Sequence, residues 1–120
     1  MRSQLKRVLI VEDDPDTRRL LRQELSAEGF DVVTAVDGAH ALRLFSIGHP
    51  DVVILDFGLP GLTGPELAQR WRESGDGPPI IGISGIPTAR TDAERLRLDA
   101  FLSKPFQLEE LVREVRAHLH

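Results

Sequence analysis

Three consecutive acids, Glu12, Asp13 and Asp14, follow a short apolar run, and a fourth, Asp56, follows another. Ser84 closes a third such run, and Ser103 and Lys104 close a fourth. Clustered carboxylates repel one another unless something compensates their charge. A hard divalent cation does so. Mg²⁺ takes oxygen ligands, uses one or two carboxylates and fills its shell with water and phosphate oxygens. A carboxylate can also attack phosphorus and form an acyl phosphate. Such a transfer needs mainly positioning and charge neutralisation. A lysine could neutralise one phosphoryl oxygen as a compact point charge, and a serine could hydrogen-bond another. The chain has 13 arginines and only two lysines, so a lysine at 104 is a specific choice.

These residues can cooperate only if the fold brings them together. The runs 8–11 and 52–55 are β-branched and unbroken, as expected of strands buried on both faces of a parallel sheet. Strands are predicted at about 7–12, 31–35, 51–56, 79–84 and 100–103. Helices are predicted between them at 17–28, 39–47, 65–73 and 91–98, with a last one at 107–119. Asp14 followed by Pro15 reads as a cap and first turn, and Gly29 as a stop. Leu20, Leu21 and Leu25 are expected on the inner face of the first helix, and Ala41, Leu42 and Phe45 on that of the second. The segment 57–64, with three glycines and a proline, reads as a loop. The order is (βα)₅, hence a doubly wound α/β fold with helices on both faces and right-handed crossovers. One class of such sheets, the flavodoxin-like one, has strand order 2-1-3-4-5 and binds ligands at the C-terminal ends of strands 1 and 3. Asp13 and Asp56 stand at those two ends.

Composition narrows the rest. At 120 residues the chain has the size of a single domain, expected over 1–120. A formal net charge of -4 argues against direct nucleic-acid binding by this domain. With no cysteine, disulfides and thiolate chemistry are excluded. No apolar run approaches the roughly 20 residues of a membrane span, and the basic N-terminus leads into no signal-peptide core. A cytoplasmic location without membrane contact is the expectation. His40, His49, His118 and His120 are scattered and read as structural or surface residues, and Trp71 as helix-face packing.

Taken in order, VLIVEDDPD, VVILDFGLPGLTG, IIGISG and FLSKPF resemble the receiver domains of two-component response regulators. The resemblance covers nearly the whole chain. It implies that Asp56 is the phosphoacceptor, served by a histidine kinase or a histidine phosphotransfer protein. Asp13 is then a direct Mg²⁺ ligand, Glu12 holds the metal through water, and the backbone carbonyl of Gly58 is a further ligand. Mn²⁺ can substitute. Ser84 and Lys104 contact the phosphoryl group, and Lys104-Pro105 is expected to be cis. Ser84 and Phe101 occupy the switch positions. The domain would catalyse only its own phosphorylation and dephosphorylation. The output, whether another domain or a separate protein, stays unknown. The chain could be free-standing, or cut from a longer regulator or a hybrid kinase.

Three departures qualify the resemblance. Phe101 carries no phenolic hydroxyl, so ring rotation and static packing both remain open. Gly85 stands where alanine is usual. The segment 86–99 looks short and lacks the usual glycine before the fifth strand, which puts the fourth helix in question. That helix often serves the output or dimer face. Homodimerisation on phosphorylation is therefore an open option with no mode attached. Two rival readings remain. An aspartate-nucleophile phosphatase would place a second acid where Gly58 stands. A phosphorylation-independent binding module needs none of the site chemistry.

Overall fold

In a computed structural model of the chain, residues 5–75 and 77–119 are described here. The elements run β1 (Arg7–Val11), α1 (Pro15–Ala27), β2 (Asp31–Ala35), α2 (Gly38–Gly48), β3 (Val52–Asp56), α3 (Gly64–Glu73), β4 (Ile80–Ser84), α4 (Ala89–Arg95), β5 (Ala100–Ser103) and α5 (Leu108–Ala117). The five strands form one parallel sheet in the order β2-β1-β3-β4-β5. The flavodoxin-like (βα)₅ reading holds.

Alternation along the strands divides the core in two. Val8, Ile10, Val52, Ile54, Ile81 and Ile83 face one side, where Leu21 and Leu25 of α1 and Leu111 and Val115 of α5 cover them. Leu9, Val11, Val53, Leu55 and Ile80 face the other, under α2, α3 and α4. Burial on both faces explains why the central strands read as unbroken apolar runs. In the second layer Phe45 and Trp71 stack with ring centroids 4.6 Å apart. Arg7 ties one half of the bottom of the sheet. Arg7 Nε donates to Asp31 Oδ2 at 2.9 Å, its Nη1 to the Gly48 carbonyl, and its backbone N–H to Asp51 Oδ2 at 2.7 Å. This joins β1 to β2, the end of α2 and the start of β3.

Helix starts follow local chemistry. Asp14 caps α1, with Oδ2 accepting from the Thr17 N–H at 2.9 Å and from Thr17 Oγ1 at 2.7 Å. Because Asp14 is the cap and Pro15 the first helical residue, α1 begins two residues before the predicted 17. Thr63 and Glu66 form a reciprocal capping box on α3. Leu20 corrects the predicted inner face of α1. It is half exposed, and only Leu21 and Leu25 of the three leucines are buried. Three strands are one residue shorter than predicted: Glu12, Asp51 and Pro79 lie just outside them.

The questioned fourth helix exists, but it is short and shifted to Ala89–Arg95 from the predicted 91–98. Thr88 gives it no side-chain cap. The chain leaves it through Arg97, in the left-handed region at φ 57°. This is the stretch that lacks the glycine usual before the fifth strand. A Cβ in that region costs roughly 1–2 kcal/mol. Arg97→Gly is accordingly expected to raise stability by about 0.5–1 kcal/mol, after allowing for the greater freedom of an unfolded glycine. Thermal unfolding checks this, and a lower midpoint for the glycine variant would count against strain at Arg97. The Arg97 carbonyl, which accepts from Arg72 Nη2 at 2.6 Å, is unchanged by the substitution.

Candidate functional site

All the singled-out side chains except Phe101 lie at or just beyond the C-terminal ends of β1, β3, β4 and β5, and Phe101 lies within β5. The parallel register sets Val11 beside Leu55 and Ser84 beside Ser103. Residues just past one strand end therefore meet residues just past the next. Carboxylate oxygens of Glu12, Asp13 and Asp56 lie within 4.8 Å of one another. Glu12 and Asp56 are buried, whereas Asp13 is exposed. Asp14 belongs to the helix cap and not to this cluster.

Lys104 supplies the opposing charge. Its Nζ sits 2.7 Å from Glu12 Oε1 and 3.7 Å from Asp56 Oδ2. The Lys104-Pro105 bond is cis, and the Lys104 N–H donates to the Ser84 carbonyl at 2.8 Å. Glu12 Oε2 accepts from the Asp14 N–H at 3.2 Å. Asp56 Oδ1 accepts from the Gly58 N–H at 2.8 Å. A Cβ at 58 would stand 3.4 Å from that oxygen, so any side chain there would overhang the carboxylate. Ser84 is buried, and its Oγ accepts from the Ile86 N–H at 2.9 Å.

The electrostatics are those of acids held together at a cost. Burial, then hydrogen bonding and repulsion from Asp56, push the Glu12 carboxyl up to about 7 against the pull of Lys104. Burial alone would lower the Lys104 ammonium. The Glu12 hydrogen bond and the charges of Asp56, Glu12 and Asp13 outweigh it and leave Lys104 raised. An all-oxygen acidic cluster facing solvent through Asp13 is a donor set suited to a hard divalent cation.

Residues 8–116 match the family described as response regulator receiver domain. The chain belongs to that family. It is a receiver domain of the response-regulator kind, a module of two-component signalling. It is 43% identical over 119 residues to the response regulator MprA of Mycobacterium sp. (strain KMS), covering 94% of this chain and 50% of that protein. It is 37% identical over 115 residues to the probable transcriptional regulator ycf27 of Cyanophora paradoxa, covering 95% and 48%. The chain thus spans about half the length of these relatives. Among solved structures, the response regulator TrrA of Thermotoga maritima, in complex with Mg²⁺-BeF, aligns with a TM-score of 0.88 at 36% identity. That alignment covers 96% of this chain and 100% of TrrA. No helix of the described residues is long and apolar enough to cross a membrane.

Phe101 lies apart from the acids. It is half-buried, meets Phe57 edge-on at 6.0 Å, and carries the Arg90 guanidinium 5.1 Å from its ring centre. Gly82 makes room for it, since a Cβ there would come within 2.9 Å of the ring. The histidines keep to other places. His40 Nδ1 accepts from the Val36 N–H at 3.2 Å, and His118 Nδ1 lies 2.9 Å from the Glu114 carbonyl. The expectation for His120 lies outside the described residues.

Two residues near the site escaped the sequence reading. Arg18 of α1 reaches back to the acid loop, its Nη1 donating to the carbonyls of Glu12 at 3.0 Å and Asp13 at 3.3 Å. Arg90 of α4 holds Phe101 and donates to Ser103 Oγ at 3.3 Å. The position of Arg18, four residues after the cap, was the available signal. It puts a long cationic side chain one turn above the acids.

Proposed function

We propose that Asp56 receives the phosphoryl group of a partner's phosphohistidine. A carboxylate oxygen of Asp56 bonds to phosphorus as the P–N bond breaks, and the imidazole leaves. The three carboxylates within 4.8 Å of one another, with Lys104 against two of them, carry this reading. Asp13, Asp56 and the Gly58 carbonyl would hold Mg²⁺, with Glu12 in contact through water. Mn²⁺ would serve in its place. Bound there, the cation neutralises the acids and the incoming oxygens. The histidine kinase or phosphotransfer protein, the cytoplasmic setting and the single-domain extent over 1–120 belong to the same proposal. So does catalysis limited to the domain's own phosphorylation and dephosphorylation.

The switch follows from charge. The phosphorylated Asp56 presents new oxygens close to Lys104, which can leave Glu12 for them. Ser84 Oγ, now bound to the Ile86 N–H, can turn to donate to another oxygen. The segment after β4 then loses one tether, and Phe101 gains room to move. Gly58 speaks against the phosphatase reading, because it offers no acid beside Asp56.

The test is an intact mass spectrum after incubation with acetyl phosphate. A gain of one phosphoryl group with Mg²⁺ and none with a chelator is the expected result. No gain under either condition would favour the binding-module reading. The lifetime of that adduct depends on Gly85, which is exposed beside Ser84. A Cβ there meets only Lys104 Cβ, at 3.8 Å, so a methyl fits without strain. Gly85→Ala is expected to lengthen the half-life of the adduct about threefold by keeping water from it. An unchanged rate of mass loss would show that water approaches from elsewhere.

A further inference from the structure

We infer that Arg18 is a positioning residue that holds the acid loop in its metal-binding form, an inference that rests on the proposed Mg²⁺ site. Asp13 is the exposed member of the cluster, and no hydrogen bond involves its carboxylate among the described residues. What the fold itself sets is therefore the direction of its Cα–Cβ bond, through the backbone that carries it. Two tethers fix that backbone to α1. Asp14 caps the helix through Thr17. Arg18 Nη1 bridges the carbonyls of Glu12 and Asp13, at 3.0 and 3.3 Å. Those carbonyls lie past the end of β1, where the ladder to β3 has stopped at Val11 and Leu55 and the sheet still holds the loop through the Glu12 N–H, which donates to the Ala35 carbonyl of β2 at 3.1 Å.

Arg18 is half-buried, with its bond to the Glu12 carbonyl partly buried and that to the Asp13 carbonyl exposed, and it ends in a planar, permanently charged group. One guanidinium nitrogen fixes the peptide planes on both sides of the Asp13 Cα. It thereby limits the directions that the Cα–Cβ bond of Asp13 can take toward Asp56. Partners behind a metal ligand commonly govern affinity by 10–100-fold. Arg18 acts on the ligand's backbone, so the lower end of that range applies.

The experiment measures Mg²⁺ affinity of the full chain by titration calorimetry, beside amide hydrogen exchange without metal. Arg18→Ala is expected to raise the Mg²⁺ Kd about tenfold and to speed exchange at Asp13 and Asp14, with α5 exchange unchanged. Arg18→Lys keeps the charge but replaces the planar guanidinium, and should keep most of the loss. An Arg18→Ala protein that is folded and binds Mg²⁺ as tightly as the wild type overturns the inference. So does full rescue by lysine, which would reduce Arg18 to a charge. A wild-type chain that binds no Mg²⁺ overturns the site and the inference together, whereas failure of Arg18 alone leaves Asp13→Ala still abolishing binding.

Discussion

Asp56→Asn is expected to take up no phosphoryl group under conditions that label the wild type fully. An amide oxygen is a poor nucleophile and cannot form a stable acyl phosphate, so labelling should fall below about one per cent of wild type. The substitution is close to isosteric. The Gly58 N–H can still donate to Oδ1, as it does now at 2.8 Å. The fold should survive, since removing one of two buried acids relieves repulsion on Glu12. Loss of labelling with an unchanged circular dichroism spectrum is therefore the informative pair. Labelling of the variant at the same residue would end the assignment. Labelling elsewhere would move the phosphoacceptor, with Asp13 the first place to look.

Much of this site was legible because the fold turns strand ends into neighbours. Two unbroken apolar runs, each followed by acids, are enough to place Asp13 and Asp56 side by side once the sheet is parallel. Lys104 was legible for a similar reason, as a rare residue type at another strand end. What escaped was set by side chains crossing between elements. Arg18 and Arg90 look like ordinary surface arginines in the sequence, because their partners are backbone carbonyls, a ring and a serine hydroxyl. Leu20 fits the apolar stripe of α1 by spacing, yet packing closed over Leu21 and Leu25 and left it out. The fourth helix was hard to place because its signals conflict. It lacks a side-chain cap and exits through a strained Arg97, so the burial of Ala89 and Ala93 against the sheet decides its position.

The same crowding of acids sets how stability should respond to pH when no metal is bound. Glu12 binds its proton more tightly in the folded chain, at about 7, than an ordinary glutamate, at 4.5. Between those values the unfolded chain has lost the proton while the folded chain still holds it. Stability must then fall as pH rises from about 4.5 to about 7, and the contribution of this group is flat beyond. The loss is at most about 3 kcal/mol. Asp14 and Glu66, both lowered by their capping bonds, act in the opposite sense, gaining stability as pH rises through the carboxylate range. They are fully ionised before the upper part of the window is reached. Glu12→Gln removes the titration while leaving an oxygen for Lys104. In chelator, the wild type should unfold several degrees lower at pH 8 than at pH 5.5, on a scale of about 3–5 °C per kcal/mol, between those of smaller and larger domains. The glutamine variant should lose much less over the same interval, and at pH 8 it should be the more stable protein. Saturating Mg²⁺ should restore the wild type at pH 8 in proportion to the logarithm of its concentration, because the cation binds the ionised cluster that the empty site tolerates poorly. If the wild type is as stable at pH 8 as at 5.5, and Glu12→Gln is the weaker protein at both, then the Lys104 ion pair outweighs the burial of Glu12. The acid cluster would in that case be a stabilising element that needs no cation.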